Sequence, residues 1–236
     1  MMFGQHKIPL KIEDEGISLT LEKEEDTLVY KRDCLGDELG KTLLTGKEEI
    51  LIHPVEPLNT PKKLTPYLMI AFENPLVVEP KASKTIFVTF PVEIGVFLSG
   101  SKRYEPLDII SIAKKKFILY GSPRGGKICK YWSSDVYPSP PKVSYLHEGV
   151  LSLRIKNEAD SWVTVTKAVF NGYGMKIHYN EKMVSSKAEM RIINKSSAET
   201  EFIASPLEKG MTKAVETYSL GRVSMTSTEF NMGEGI

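Results

Sequence analysis

The chain has 236 residues, enough for one large β domain or two small ones but not for three domains. Apolar residues make up 41% and charged residues 26%, which excludes a disordered or fibrous chain and leaves material for a sizeable core. The formal net charge of +1 gives no reason to expect nucleic acid or an anionic membrane as the main partner.

From the N-terminus, Met1 to Ile12 lacks the continuous apolar core of a signal peptide, because Gln5, His6, Lys7, Pro9 and Lys11 interrupt it. A cytoplasmic location is expected. Ile8, Leu10 and Ile12, then Ile17, Leu19 and Leu21, alternate with polar neighbours, and period two is the mark of half-buried strands. The acidic clusters Glu13-Asp14-Glu15 and Glu24-Glu25-Asp26 fall at the ends of these strands. They read as solvated turns, since acid and base work requires carboxylates in unlike environments.

Strand patterns continue at 50–52, 68–72, 85–90 and 92–98. The most apolar stretch, Ile86 to Leu98, is too short to cross a bilayer as a helix, for which about 20 residues are required. No transmembrane segment is expected. Helical periodicity occurs with any strength only at Leu107 to Lys116, where Pro106 suits a first helical position. Ile109 and Ala113 also fit a strand there, and the strand is the favoured assignment. Strands follow at 117–120 and 128–132.

Pro138, Pro140 and Pro141, among several serines, interrupt the pattern between Ser133 and Glu148. Proline cannot donate to a ladder, so 136–148 is expected to connect an N-terminal β domain, 1–135, to a C-terminal one, 149–236. Downstream, Leu151, Leu153 and Ile155, then Ala188, Met190 and Ile192, alternate again. No series of helices alternates with the strands, which argues against a parallel α/β sheet. The expected fold is all-β: two packed antiparallel β-sandwiches of immunoglobulin-like type with little helix.

Phosphate loops, dinucleotide fingerprints, zinc-protease helices, nucleophile elbows and calcium loops are all missing from the sequence. Cys34 and Cys129 are too few and too far apart for a disulfide framework or a four-ligand zinc site. Cys129, between apolar and aromatic neighbours, reads as a buried strand thiol. The four histidines have no metal-ligand spacing. No catalytic residue, metal or cofactor is expected.

Two features remain as candidate ligand-binding sites. In His53-Pro54-Val55-Glu56-Pro57-Leu58-Asn59-Thr60-Pro61, three prolines fix backbone angles and bring the His53 imidazole close to the Glu56 carboxylate, although the favoured account is that they set a non-paired connection between two strands. The second feature is charge segregation. Residues 1–60 carry 7 basic and 13 acidic side chains, whereas residues 102–130 carry 8 basic ones against Glu105 and Asp108. Arg124, Lys127 and Lys130 precede Tyr131 and Trp132, a combination suited to holding an anion or stacking a base. Gly125 and Gly126 would add a nest of amides at a hairpin tip. The competing explanation, which is favoured, is that this basic region neutralises the acidic N-terminal strands across the fold.

The 53–61 run, with Thr65-Pro66-Tyr67-Leu68, Pro91-Val92-Glu93-Ile94-Gly95-Val96-Phe97, Ile128-Cys129-Lys130-Tyr131-Trp132 and Lys167-Ala168-Val169-Phe170-Asn171, resembles the archaeal family called domain of unknown function 432 over nearly the whole chain. The resemblance implies a cytoplasmic archaeal protein and carries over no catalytic residues or cofactor. It also implies a small mechanosensitive membrane channel as a partner. The functional expectation is a non-enzymatic β protein that binds a protein or ligand, with self-association through edge strands. The alternative is an anion- or nucleotide-binding protein, or an enzyme, using a cleft between the two domains and the basic 102–130 region.

Overall fold

The computed structural model describes residues 2–61, 64–98, 106–218 and 227–232. Strand β1 (Gly4–Lys7) precedes a meander of β2 (Leu10–Asp14), β3 (Ile17–Glu24), β4 (Thr27–Cys34) and β5 (Asp37–Leu43). Two-residue loops close the β2–β3 and β4–β5 hairpins, with positive φ at Glu15 and Gly16 and at Leu35 and Gly36. Those angles give the turn the right-handed twist of its strands. Then come β6 (Glu49–Val55), β7 (Tyr67–Val78), β8 (Ser83–Pro91), β9 (Glu93–Leu98), β10 (Pro106–Ile110), β11 (Phe117–Tyr120) and β12 (Lys127–Ser134). The remainder is β13 (Glu148–Asn157), β14 (Val163–Asn171), a 3-10 turn at Gly172–Gly174, β15 (His178–Tyr179), β16 (Val184–Ile192), β17 (Ser197–Ile203), β18 (Thr212–Lys213) and β19 (Ser227–Asn231).

The chain is thus all-β, with packed and mostly antiparallel sheets, as the alternation predicts. At 106–116 the strand prevails over the helix: β10 ends at Ile110 and no regular element follows until β11. The strands form four sheets. One has the order β1-β6-β9-β10, another is the meander itself, a third is β11-β12-β7-β14, and the seven-stranded fourth contains β18-β15-β16-β13-β8 with β17 and β19 added beyond β16. Two ladders, β12 with β7 and β13 with β16, are parallel.

The meander buries Ile17, Leu19, Leu21, Leu28 and Tyr30 on one face and reaches the first sheet through polar contacts. The Tyr30 hydroxyl donates to Asp108 Oδ2 at 2.8 Å, Arg32 Nε donates to the same oxygen at 3.1 Å, and Lys41 donates to the Leu107 carbonyl. The other two sheets meet through Trp132 Nε1, which donates to Thr89 Oγ1 at 2.9 Å, and through the Phe170 and Phe202 rings, 5.1 Å apart. One continuous apolar cluster runs through all four sheets.

Segment 136–148 is poor in strands, apart from a bridge between Tyr137 and Phe87. The grouping of strands does not follow the expected blocks 1–135 and 149–236, however. The β8–β13 and β7–β14 ladders cross the segment, so 67–91 shares both of its sheets with 148–171. A single residue, Val92, joins β8 of the seven-stranded sheet to β9 of the first sheet, and the chain makes a second crossing between Val55 at the end of β6 and Tyr67 at the start of β7. Both crossings meet at one place, and buried polar groups gather there.

Candidate functional site

Glu93 opens β9 and has no solvent exposure. Its carboxylate is held from three sides. Lys130 Nζ lies 2.6 Å from Oε1, the Thr60 hydroxyl donates to the same oxygen at 2.5 Å, and the Asn59 amide donates to Oε2 at 2.8 Å. The Asn59 side chain donates to the Glu56 carbonyl at 2.7 Å. A charge buried this completely is tolerated only when paired and hydrogen-bonded, and here the pairing joins β9, β12 and the 56–60 loop.

On the other side of the loop, residues 214–218 are fastened to it. The Val215 amide donates to His53 Nδ1 at 3.1 Å, so that nitrogen carries the lone pair. Nε2 then bears the proton and donates to the Tyr179 hydroxyl oxygen at 3.1 Å. Burial lowers the His53 pKa to about 4, because the imidazolium form loses its hydration. Thr217 donates to Glu56 Oε2 from both its amide, at 3.1 Å, and its hydroxyl, at 2.5 Å. The Tyr218 hydroxyl donates to the Leu58 carbonyl at 2.8 Å, and its ring stacks on Tyr173 at 4.2 Å. Glu56 is 1% exposed, and among the described residues its Oε1 has no hydrogen-bond partner. Burial raises its pKa, and the two bonds from Thr217 oppose that rise.

Of the seven candidate residues, the structure brings His53, Glu56 and Lys130 to this junction and leaves the other four outside it. Arg124 is exposed in the β11–β12 turn. The amides of Gly125 and Gly126 are taken by the Ser122 carbonyl at 3.2 and 2.7 Å, so they form no open nest for an anion. Lys127 is exposed and sits 4.6 Å above the Tyr67 ring. Three positions along the strand from Lys130, it points to the opposite face. Tyr131 is covered by the Lys116 ammonium at 4.0 Å, and the Trp132 indole nitrogen is engaged by Thr89. The basic region therefore does not converge on one cleft.

Nor, among the described residues, does an ion pair join a basic side chain of 106–130 to an acidic one of 1–60. Lys130 pairs with Glu93, and the contact between the two regions has the reverse polarity, Arg32 with Asp108. Cys129 is buried in β12, and desolvation pushes its thiol up to about 12, an inert rather than a reactive state. No group of His, Cys, Asp and Glu among the described residues could hold a metal ion, and no helix among them is long and apolar enough to cross a membrane.

Sequence reasoning did not single out Glu93, Asn59, Thr60, Tyr179 or Thr217. One signal was present: Glu93 is the only charge in the apolar run Val92 to Leu98, and a lone charge in a strand with both faces buried must have a partner. Elsewhere, a groove of about 210 Å³ lies where the β7–β8 and β13–β14 turns come together, lined by Leu76, Val78, Ile86, Ile155 and Trp162. Trp162 is 62% exposed there.

The family model described as protein of unknown function (DUF432) matches residues 2–233, and the chain belongs to that family. No curated protein and no solved structure matches it.

Proposed function

We propose that this member of the DUF432 family works by binding, as a rigid β scaffold whose outer surfaces engage a macromolecular partner in the cytoplasm, and not by chemistry of its own. The observation that carries this reading is the way the ionisable groups at the junction are used. His53, Glu56, Glu93 and Lys130 each hold another segment of the same chain, and all four are under a tenth exposed. A general acid or base must come within hydrogen-bond reach of a substrate proton. Here the nearest protons and lone pairs belong to Asn59, Thr60, Val215 and Thr217. The cation and aromatic groups of β12 are likewise committed within the chain, which weakens the alternative of an anion- or nucleotide-binding cleft.

A thermal-shift panel of nucleotides, inorganic phosphate and divalent metal ions tests the reading. A ligand at 100 times its Kd adds about 2.7 kcal/mol, which for a chain of this size raises Tm by roughly 5–10 °C. The expected result is no such shift. A shift that disappears in Lys130→Met or Glu56→Gln would overturn the reading and place a small-molecule site at the junction.

A further inference from the structure

The outer face of the seven-stranded sheet carries an unusual arrangement of charge. Along β13, β16 and β17 the outward positions alternate with buried ones, and the ladders set them in rows. One row runs Lys156, Arg191, Glu199, Glu229, and the next runs Arg154, Glu189, Glu201. Three directly opposed pairs in these rows have like charge: Lys156 with Arg191, Glu189 with Glu201, and Glu199 with Glu229. Like charges placed opposite each other destabilise a sheet, so the face is not arranged to satisfy itself.

Three contacts relieve it in part: Arg191 pairs with Glu199 at 2.5 Å, Arg154 with Glu189 at 3.7 Å, and Lys156 with Glu158 of the following turn at 3.0 Å. Among the described residues, Glu201 and Glu229 have no cation within ion-pair distance. The face is therefore basic along β13 and acidic along β17 and β19.

We propose that this face is a self-association surface on which a second copy of the chain docks. A two-fold axis parallel to the strands and over β16 exchanges the basic and acidic sides while keeping each row level with itself. Arg154 of one copy then lies over Glu201 of the other, and Lys156 over Glu199. Both dyads occupy positions i and i+2, so their spacing along the strand, about 6.8 Å, is the same. Such a contact is isologous: the same patch serves both copies. The β16 charges near the axis, Glu189 and Arg191, are paired within their own chain with Arg154 and Glu199, and Lys156 with Glu158. On docking, Arg154, Glu199 and Lys156 are therefore shared between an intrachain and an interchain partner, while Glu201, which has no cation among the described residues, gains one.

A patch four strand spacings wide covers only a few hundred Å² per copy, below the roughly 800 Å² of a standard interface. The dimer is accordingly weak, in rapid exchange and sensitive to salt. This inference rests on the binding reading and supplies one of its partners.

Charge exchange tests it, with sedimentation velocity of the full chain over a concentration series in about 0.05 and 0.5 M NaCl. The wild type is expected to gain mass with concentration at low salt and to lose that gain at high salt. Arg154→Glu and Glu201→Lys each abolish the gain. An equimolar mixture of the two variants recovers it, as does the doubly substituted chain, because each new charge again meets its opposite. Recovery in the double variant also shows that neither substitution acts by unfolding. A monomeric wild type, single variants that associate like the wild type, or a mixture that stays monomeric would each overturn the docking face. None of these outcomes depends on the small-molecule panel, which tests the binding reading separately.

Discussion

Replacing Lys130 with methionine removes the one cation that, among the described residues, pairs with the Glu93 carboxylate, and leaves the remaining charge among Thr60, Asn59 and apolar neighbours. The ammonium and carboxylate are 2.6 Å apart, with side chains 2% and 0% exposed, so water cannot take the place of the lost partner. Breaking a pair buried to this degree costs about 3–5 kcal/mol. In a chain of this length that lowers Tm by roughly 6–20 °C. Glu93→Gln alone strands the ammonium instead and is expected to cost about as much. Substituting both removes both charges and leaves mainly the altered bonds to Asn59 and Thr60, worth about 1 kcal/mol. The double-substitution cycle, measured by urea unfolding, is therefore expected to show coupling of at least about 2 kcal/mol. A Lys130→Met chain melting within about 2 °C of the wild type, or costs that simply add, would refute the reasoning.

His53 binds its proton near pH 4 in the fold and near 6.5 once unfolded. Between those values the unfolded chain holds the extra proton, so the stability owed to neutral His53 is complete above about pH 6.5 and declines toward pH 4, by up to about 1.4 kcal/mol per pH unit. The wild-type minus His53→Gln stability, from urea unfolding across that range, should follow this slope; a flat difference counts against it. Glu56 has the opposite sign. Its raised pKa means that its contribution is present below 4.5 and is lost as pH rises through the raised value. Glu56→Gln should thus gain on the wild type between pH 4 and pH 7, while Glu56→Ala, which takes both acceptor bonds from Thr217, should lose about 1–3 kcal/mol. Equal behaviour of the two variants at pH 7 would contradict the assignment.

The strands themselves were readable because burial of one face imposes period two. Ile17, Leu19 and Leu21 are all buried, while Ser18 and Thr20 between them are partly exposed. Which strands share a sheet was not readable in the same way. Pro138, Pro140 and Pro141 do break the ladder, but a break in hydrogen bonding is local, and β8 still finds β13 across it. Pro91 and Val92 look like a further break between 85–90 and 92–98, yet the chain passes through them from one sheet into another. The candidate site divided along a similar line. Prolines around His53 and Glu56 announce a rigid loop, but His53 to Val55 still pair with β9 and the loop starts at Glu56; both side chains are held in place by Val215 and Thr217. Lys130, by contrast, reads in the sequence as part of a basic region that holds an anion or neutralises the acidic N-terminal strands, because only the parallel β12–β7 pairing carries it inward to Glu93. The segregation of charge between 1–60 and 102–130 misled for a related reason. Arg32 and Asp108 meet with the polarity opposite to that of their regions, since a single register decides contact and the regional sum does not.

The junction is part of the rigid fold and not a site that opens. Amide hydrogen exchange of the wild-type chain measures this directly at Asn59, Val215 and Thr217, whose N–H groups are held by Glu93, His53 and Glu56. If the junction is structural, these amides exchange only through large-scale opening, as slowly as those of the β7 and β8 ladders. Exchange at the rate of an exposed loop, with the ladders still protected, would mean that the loop and residues 214–218 part in the folded protein and that the junction is a site that opens.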